Sequence, residues 1–417
     1  MIRQIYRKII PEEARKRILW IRYCIQFYWY RFMFILLSCM PKKNKVVAST
    51  FGGRKYGDNP QFILEALHQL NPDVEIVWIK DPSFNYILPD WIRCVEISQG
   101  WLPVIYEYAT ARVWIDTHRL RHFFYKRKSQ LFIETWHGGL GIKKLDRDVP
   151  KFKENVYILR QIQTTTECAD FFVSNSSHLS RIYRSAFNYT GKIWKCGYPK
   201  NDVLFSDPEG AHKNIRTKFK IPAGAKIVLY APTFRDYFTT VGPDWSVYDI
   251  DYASVIDSFE QKSGETWYFF VKYHPFLLPF IKNRNLGVNV INASNYADMQ
   301  ELILASDAFI SDYSSCIFDA ALRNIPCFTF ATDFEDYKAD RGVYYEMDEL
   351  PFPYARDNYE LLYNIEHFNY DNYIQAWNTF KVRTGLHETG HAAFDIANVI
   401  NEYVRGNTEI LETIHNE

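Results

Sequence analysis

Residues 308–319 read Ala-Phe-Ile-Ser-Asp-Tyr-Ser-Ser-Cys-Ile-Phe-Asp. A short apolar run leads directly into a polar turn, and a helical pattern follows the two serines. In open α/β sheets, ligands bind beyond the carboxyl ends of the parallel strands, where such turns lie. Amide groups at the start of a helix also bind phosphate oxygens without an added charge. The stretch therefore predicts a parallel α/β fold with a phosphate-binding turn at Ser314 and Ser315.

Four further polar clusters stand at the ends of apolar runs, where a parallel sheet places its binding loops. They are Thr135-Trp136-His137-Gly138-Gly139, Gly197-Tyr198-Pro199-Lys200-Asn201-Asp202, Tyr230-Ala231-Pro232-Thr233 and Lys272-Tyr273-His274-Pro275. Histidine is the side chain best suited to act as a base near neutral pH, so His137 and His274 are candidate catalytic residues. Gly138 and Gly139 allow the backbone to approach a ligand closely.

Apolar runs alternate with helical patterns along the chain, and this alternation indicates parallel sheets. Strands are predicted at 45–51, 74–80, 112–116, 130–134 and 171–174, and again at 226–230, 268–272, 287–291, 308–310 and 325–330. The clearest helices are predicted at 61–70, 178–187, 299–305 and 392–403. Two α/β series of similar size predict two facing Rossmann-like domains, the GT-B arrangement, with the site in the cleft between them. The predicted domains are 46–205 and 206–405, preceded by a helical segment at 1–45 and followed by a tail at 406–417.

Composition excludes several classes of function. Hydrophobic residues make up 47% of the 417 residues, which excludes a disordered chain. The formal net charge is zero, which argues against nucleic acid as the main partner. The seven cysteines form no Cys-x-x-Cys pair, so neither a disulfide framework nor a zinc site is indicated. We therefore expect a reducing, cytosolic compartment.

The first 45 residues hold 11 Lys and Arg but only two acids. Residues 18–40 are rich in aromatic and aliphatic side chains, interrupted by Arg22, Gln26 and Arg31. A spanning helix needs about 20 apolar residues, and the uncharged run after Arg31 is too short for this. We therefore predict an amphipathic helix that lies on an anionic membrane surface. The alternatives are a helix packed on the protein's own core and a spanning helix.

In this order and spacing, the five clusters resemble the CDP-glycerol glycerophosphotransferases, which build teichoic acids and related phosphopolyol polymers. The resemblance covers roughly residues 46–400. It implies a GT-B transferase with an N-terminal acceptor domain and a C-terminal nucleotide-binding domain. Such an enzyme moves glycerol phosphate from CDP-glycerol to a hydroxyl of a lipid-linked saccharide or growing chain and releases CMP. The resemblance implies no metal, no cofactor and a peripheral location on the cytoplasmic face of the cell membrane.

The resemblance also implies roles for individual residues. His137 matches a proposed catalytic base, and His274 matches a second essential histidine near the phosphates. Substrate contacts are implied for Gly138, Gly139, Lys200, Pro232, Thr233, Lys272, Tyr273, Ser314, Ser315 and Asp319. An alternative role for Asp319 is to orient the turn at the two serines. Lys200 replaces the usual arginine, which keeps the charge but loses the bidentate fork.

The loop after His137 departs from the family pattern. Members usually read Trp-His-Gly-Thr-Pro-Leu-Lys-Lys, whereas residues 136–144 read Trp-His-Gly-Gly-Leu-Gly-Ile-Lys-Lys, one residue longer. The corresponding loop faces the transferred group in family members, so CDP-ribitol or a sugar nucleotide stays open as the donor. An alternative of another class is an inactive nucleotide-binding subunit of a capsule assembly, and the presence of both histidines argues against it.

His387-Glu388-Thr389-Gly390-His391 matches the His-Glu-x-x-His pattern of zinc proteases. That chemistry requires both histidines on one face of a stable helix, and Gly390 interrupts the pattern. We therefore predict that Thr389 caps a helix at 392–403 instead. The acidic run Asp333-Phe334-Glu335-Asp336-Tyr337 is predicted to stabilise the second domain.

Overall fold

The computed structural model describes residues 12–238, 242–281 and 286–417. Its strands are β1 (Lys43–Ala48), β2 (Glu75–Lys80), β3 (Ile92–Glu96), β4 (Ala111–Asp116), β5 (Leu131–Glu134), β6 (Phe171–Ser174), β7 (Lys192–Lys195), β8 (Lys226–Ala231), β9 (Trp267–Val271), β10 (Val290–Asn292), β11 (Ala308–Ser311), β12 (Cys327–Phe330) and β13 (Tyr354–Ala355). Its α-helices are α1 (Glu12–Leu37), α2 (Asp58–Leu70), α3 (Trp101–Thr110), α4 (Val156–Cys168), α5 (Ser177–Ala186), α6 (Glu209–Phe219), α7 (Tyr252–Ser263), α8 (Leu278–Ile281), α9 (Met299–Leu304), α10 (Cys316–Ala321), α11 (Phe334–Arg341), α12 (Asn358–Glu366), α13 (Tyr370–Thr384) and α14 (Ala392–Val404).

The strands form two parallel sheets with one shared order. The first sheet runs β3-β2-β1-β4-β5-β6-β7, and the second runs β10-β9-β8-β11-β12-β13. This is the order of doubly wound folds, in which the order reverses at a switch point and ligands bind beyond it. The switch points lie between β1 and β4 in the first sheet and between β8 and β11 in the second. The prediction of two Rossmann-like domains in a GT-B arrangement is confirmed.

The predicted strands and helices are present, with ends that differ by up to three residues. The strands β3, β7 and β13 escaped prediction, and all three lie at the outer edges of the sheets. Edge strands are short and partly exposed, so their sequences lack the continuous apolar runs of buried parallel strands. Helix α2 begins at Asp58, three residues before its predicted start, so Pro60 lies within its first turn.

The central strands are buried on both faces because helices cover both sides of each sheet. In β5, Leu131 and Ile133 pack into a core cluster that includes residues of α5 and α14. Phe132 points to the opposite face and packs with residues of α1 and α3. Successive side chains of the strand therefore contact helices on opposite sides of the sheet.

Helix α14 returns from the second domain to the first. Ile396 and Ile400 are fully buried in the core of the first domain, against α2. Asn71 Nδ2 donates to Asn401 Oδ1 at 2.9 Å, which joins the two helices. This packing corrects the predicted domain boundary: residues 392–405 belong to the first core, and the second domain is inserted between β7 and α14. The sequence pattern predicted the helix but contained no signal for its partner.

One face of α1 packs on the first domain. Phe34 is fully buried there, and Tyr23 stacks on His122 with ring centroids 4.2 Å apart. The opposite face exposes large apolar side chains, namely Ile18, Ile21, Ile25, Tyr28, Trp29, Phe32, Ile35 and Leu36. The alternative prediction, a helix packed on the protein's own core, is therefore correct for one face of α1. The other face is exposed in the described part of the chain. No helix in the described part of the chain is long and apolar enough to cross a membrane.

Several basic residues of the N-terminal segment are engaged by the protein itself. Lys45 is fully buried and pairs with Glu107, while Arg31 donates to the carbonyl of Phe124. Lys42 Nζ donates to another backbone carbonyl at 2.6 Å. The positive charge available to a membrane is thus smaller than the sequence count indicates.

Candidate active site

The loop after β5 carries His137 and crosses to the second domain. Leu140 and Ile142 are fully buried in the core of that domain. Tyr344 N donates to Ile142 O at 2.7 Å, and Lys143 forms an antiparallel bridge with Val343. The apolar residues that depart from the family pattern therefore attach the loop to the second domain.

One ring nitrogen of His137 forms a hydrogen bond to the protein, and the other carries no hydrogen and can accept a proton. Its Nδ1 lies 2.9 Å from Thr117 O, and because a carbonyl only accepts, Nδ1 carries the hydrogen and Nε2 does not. Phe51 contacts the ring with centroids 4.8 Å apart. Burial lowers the pKa of His137 to about 4, and the charges of Lys143 and Lys200 act in the same direction. The imidazole is neutral at pH 7, which is the form that acts as a base.

His274 follows β9 and has the opposite arrangement. Its Nδ1 accepts a hydrogen bond from Phe276 N at 3.3 Å, so in the neutral ring Nε2 carries the hydrogen. The ring stacks on Phe234 with centroids 5.3 Å apart. Burial lowers the pKa of His274 to about 4, and the charge of Lys143 adds to this. His274 is therefore a neutral hydrogen-bond donor at pH 7.

The two domains meet at Gly138. A Cβ placed on Gly138 would lie 3.2 Å from Ser315 Oγ of the second domain, so any larger side chain would crowd the serine. A Cβ on Gly139 would overlap the amide of Asn175. The charge of Lys143 acts on both His137 and His274, so the two histidines lie on the same side of the boundary between the domains, near this lysine. The structure thus brings together the clusters of the two domains.

Lysines converge on this cleft from both domains. Burial lowers the pKa of Lys143 to about 8, and the charge of Arg341 contributes. Burial likewise lowers the pKa of Lys272 to about 8, and Lys55 of the first domain contributes there. Lys272 Nζ also donates to Tyr296 O at 2.5 Å. Lys55 and Lys143 were not among the residues predicted from the sequence, although the Lys143-Lys144 pair after the His137 cluster was a visible signal.

The turn after β8 has a buried hydroxyl available to a ligand. Thr233 N donates to both carboxylate oxygens of Asp312, at 2.8 and 3.0 Å. Thr233 Oγ1 is buried and has no hydrogen-bond partner among the described residues. Pro232 precedes it and is also buried. Thr233 thus lies beside the 311–315 turn, and its substrate contact stays a prediction.

The side chains of the two serines in the 311–315 turn differ in their hydrogen bonds. Ser314 Oγ lies 3.0 Å from Cys316 Sγ, which donates to it. Ser315 is the N-cap residue of α10, but its side chain does not cap the helix. Both serines are half-buried, and Ser315 Oγ faces the Gly138 backbone.

Arg235 joins the turns of the second domain through hydrogen bonds to two buried carboxylates. It is 1% exposed, donates to Asp312 Oδ2 at 2.7 Å, and binds both carboxylate oxygens of Asp333 at 2.8 Å. Tyr313 OH also donates to Asp333 Oδ1 at 2.8 Å. The acid at position 333 is therefore structural, as the sequence predicted.

Lys200 and Asp319 pair with each other across the domain boundary. Lys200 Nζ lies 3.0 Å from Asp319 Oδ2 and donates to His137 O at 3.2 Å. Burial disfavours the charged amine, but the attraction of Asp319 and Asp58 outweighs it and raises the pKa of Lys200. Asn201 Nδ2 also donates to Asp319 Oδ1, at 3.1 Å. The alternative role of Asp319 as an orienting residue fits this network, in which Lys200 positions the loop of His137.

Tyr273 lies in the core of the second domain. It is 1% exposed, and its hydroxyl is 2.8 Å from the hydroxyl of Tyr252. Its backbone N donates to Ser294 Oγ at 2.9 Å. The side chain is buried in that core, and the substrate contact of Tyr273 stays a prediction.

Glu388, in the zinc-protease-like motif, is a half-buried residue that joins three segments of the chain. Its Oε1 accepts from Asn175 and Asn201 at 2.8 and 2.9 Å, and its Oε2 accepts from Tyr198 N at 2.9 Å. Burial raises the pKa of Glu388 to about 8. The motif precedes α14 instead of lying within a helix, and no group of three or more potential metal ligands occurs among the described residues.

The predicted cap of α14 requires a correction. Asp202, from the Gly197–Asp202 cluster, accepts from the backbone N of Ala392 and Ala393 at 3.1 and 2.7 Å. Thr389 Oγ1 accepts only from the N of His391, at 3.2 Å. Asp202 therefore caps the helix across a long sequence separation, which local sequence reading does not detect.

The paired switch points and the shared cleft place this protein in the class of GT-B transferases. The profile of the CDP-Glycerol:Poly(glycerophosphate) glycerophosphotransferase family matches residues 32–402. The chain belongs to this family.

Relatives and solved structures agree with this membership. The teichoic acid poly(glycerol phosphate) polymerase of Staphylococcus epidermidis is 28% identical over 87% of this chain and 51% of its own length. The teichoic acid glycerol-phosphate transferase of Staphylococcus aureus is 27% identical over 88% of this chain and 95% of its own. A histidine variant of the wall teichoic acid polymerase TagF, soaked with CDPG, superposes with a TM-score of 0.77 at 26% identity and covers 92% of this chain and 98% of its own. The chain thus spans about half the length of some curated relatives, with 51% and 46% coverage in two polymerases.

Proposed function

We propose that this protein transfers glycerol phosphate from CDP-glycerol to a hydroxyl of a lipid-linked saccharide or growing phosphopolyol chain and releases CMP. The observation that carries the proposal is the convergence of His137 and His274 on one lysine-rich cleft in a member of this family. Phosphoryl transfer depends mainly on positioning and on electrostatic stabilisation of the phosphate oxygens, and lysines and helix N-termini supply both.

His137 is the proposed base. Its unprotonated Nε2 accepts the proton of the acceptor hydroxyl. The acceptor oxygen forms a bond to the β-phosphorus as the bond between that phosphorus and the bridging oxygen breaks, and the electron pair leaves with CMP. The hydrogen on Nε2 of His274 donates to a phosphate oxygen during this step.

Lys143 and Lys272 are the proposed source of electrostatic stabilisation in the reaction. Both are protonated below about pH 8. Their charges compensate the negative charge that moves onto the departing CMP. Thr233 Oγ1 and the turn at Ser314 and Ser315 are the proposed contacts of the nucleotide diphosphate.

The donor is tested by comparing CDP-glycerol, CDP-ribitol and UDP-sugars. Thermal shift should rise more with CDP or CDP-glycerol than with UDP or GDP, and CMP should appear only with the donor and an acceptor together. A larger shift with UDP-sugars would contradict a cytidine donor. CDP-glycerol binding without CMP release on any acceptor would favour the inactive binding subunit.

We further propose a peripheral location on the cytoplasmic face of the membrane, through the exposed apolar face of α1. Support comes from the row of exposed large side chains on that face, with Arg17 and Arg22 exposed beside it. Apolar side chains at this periodicity suit a helix that lies in the lipid interface. Because basic residues of this segment are paired inside the protein, we propose that burial of apolar side chains is the main driving force for membrane binding. The attraction of basic side chains to anionic lipid is the smaller contribution.

A further inference from the structure

The first sheet has a pocket of its own at its switch point. The pocket has a volume of about 440 Å³ and lies beyond the carboxyl ends of β1 and β4, with all lining residues in the first domain. In the second sheet, the equivalent position between β8 and β11 carries the turns of Thr233 and Ser314. Ligands of doubly wound folds bind at this position. The first-domain pocket therefore occupies the position at which such folds bind ligands.

Guanidinium groups line this pocket. Arg54 comes from the loop after β1, whereas Arg119 and Arg121 come from the loop after β4. Within the described part of the chain, Arg54 and Arg121 form no ion pair with a carboxylate; Arg121 lies over the ring of Trp101 at 5.2 Å. Arg119 pairs with Asp146, but its Nε is buried without a hydrogen-bond partner among the described residues.

His118 confirms that these charges converge. Burial and then the charges of Arg119, His137, Arg54 and Arg121 lower the pKa of His118 far below its usual value. Its Nδ1 is buried and has no hydrogen-bond partner among the described residues. An anion in the pocket would offset the positive charges that meet there.

Two carboxylates also line the pocket and offset part of its charge. Asp81 accepts from Ser83 N at 2.9 Å. Asp116 accepts from Ser49 Oγ at 2.8 Å, and burial raises the pKa of Asp116 above its usual range.

The pocket lies between the proposed base and the proposed membrane helix. Phe51 lines the pocket and contacts the ring of His137. At another wall, Phe124 lines the pocket and packs on Phe34 of α1 with centroids 5.4 Å apart. The pocket therefore adjoins both the loop of His137 and the packed face of α1.

We propose that the pocket of Arg54, Arg119 and Arg121 binds a phosphate group of the acceptor, as a phosphodiester or a diphosphate, and thereby presents the acceptor hydroxyl to His137. Guanidinium groups bind phosphate oxygens in pairs of parallel hydrogen bonds, which fixes the orientation as well as the position of the group. The proposal rests on the proposed function because it assigns the second substrate of that reaction.

The test uses the full chain and the variants Arg54→Gln and Arg121→Gln, singly and together. The matched control is Arg405→Gln, which removes an exposed arginine at the end of α14. Acceptors are glycerophosphoglycerol, which carries one phosphodiester, and a disaccharide joined to a short lipid by a diphosphate. We expect the acceptor KM to rise by about tenfold to a hundredfold in the variants, because charged hydrogen bonds are lost. The KM of CDP-glycerol, the melting temperature and the control should stay unchanged.

The acceptor that responds identifies the phosphate: the diester, the diphosphate or both. An unchanged KM for both acceptors in the double variant would overturn the proposal. Arg121→Lys should recover part of the loss, since it keeps the charge without the fork. Calorimetric titration of each acceptor without donor tests acceptor binding at the pocket independently of turnover. Weaker binding by the double variant supports the proposal, and equal binding overturns it. Absence of CMP release by the unaltered protein would instead count against the proposed function.

Discussion

The two histidines of the cleft differ in which nitrogen holds the proton. His137 donates from Nδ1 to a carbonyl, whereas His274 accepts at Nδ1 from an amide. Their free Nε2 atoms therefore have opposite roles, one as acceptor and one as donor. Residue types and spacing alone allowed either histidine to be the base, and the hydrogen-bond partners are the reason that we propose His137 for this role.

We expect His137→Ala and His274→Ala each to lower CMP release by about 10²–10⁴-fold, the usual range for lost acid–base catalysis. Neither side chain belongs to a core cluster, so the melting temperature should change little. His387→Ala and His391→Ala are the controls, because both residues are exposed and lie in the motif before α14. Loss of activity in these controls, together with inhibition by a chelator, would replace the present mechanism with a zinc-dependent one.

The pH dependence of kcat/KM should be bell-shaped with widely separated limbs. The pKa of His137 is about 4 and those of Lys143 and Lys272 are about 8 in the free protein, which is the form that kcat/KM reports. Activity is lost as pH falls toward 4, when the base becomes protonated, and as pH rises above 8, when the lysines lose their charge. An acid limb at the ordinary histidine pKa, near 6.5, would contradict the assignment. Lys143→Arg should move the alkaline limb upward, whereas Lys143→Gln should lower activity at every pH.

At the scale of elements, local sequence patterns predicted most of the strands and the polar turns that follow them. Buried parallel strands are continuous apolar runs, and β6 was predicted with its observed ends, Phe171 and Ser174. What escaped prediction depends on residues far apart in the chain. Asp202 caps α14, and Leu140 and Ile142 enter the other domain. Such contacts leave no periodic signal in the sequence.

Helix α1 should bind vesicles through its exposed face only. The triple variant Ile21→Ser, Ile25→Ser, Phe32→Ser removes three side chains that are 57%, 64% and 58% exposed. Each contributes about 1.5–3 kcal/mol when fully buried, so partition onto phosphatidylglycerol vesicles should fall by at least about tenfold. The control replaces three exposed residues of the second domain, Tyr359, Tyr363 and Val382, with serine. Equal binding by the α1 variant would contradict the location that we propose.

The turns after β8 and β11 depend on one buried guanidinium. Arg235→Met leaves Asp312 and Asp333 buried without their cation, and such losses cost about 3–5 kcal/mol. We expect the free energy of unfolding in urea to fall by about this amount. Arg341→Met removes a more exposed arginine that pairs with Asp236, and it should cost clearly less. Equal costs would show that the buried network adds nothing.

At the scale of the whole molecule, the cleft is closed by a buried ion pair between the domains. Lys200 and Asp319 have side chains 8% and 3% exposed. Lys200→Met and Asp319→Asn should each destabilise the protein by about 3–5 kcal/mol, because each leaves a buried charge or dipole unpaired. The double variant should lose less than the sum, with a coupling of about 0.5–3 kcal/mol in urea unfolding. Strictly additive losses would mean that the two residues act independently.

The return of α14 makes the second domain an interchangeable cassette. A Cβ placed on Gly390 would lie only 3.2 Å from Phe205 Cβ, so the chain enters and leaves this domain at almost one point. Residues 206–389 can therefore be removed and replaced by the corresponding segment of a relative through two neighbouring joints, without lengthening either one. A simple truncation at residue 205 would instead deprive the first domain of α14 and of part of its core. Exchange of this segment would therefore test whether the second domain alone sets the donor specificity that we propose for it.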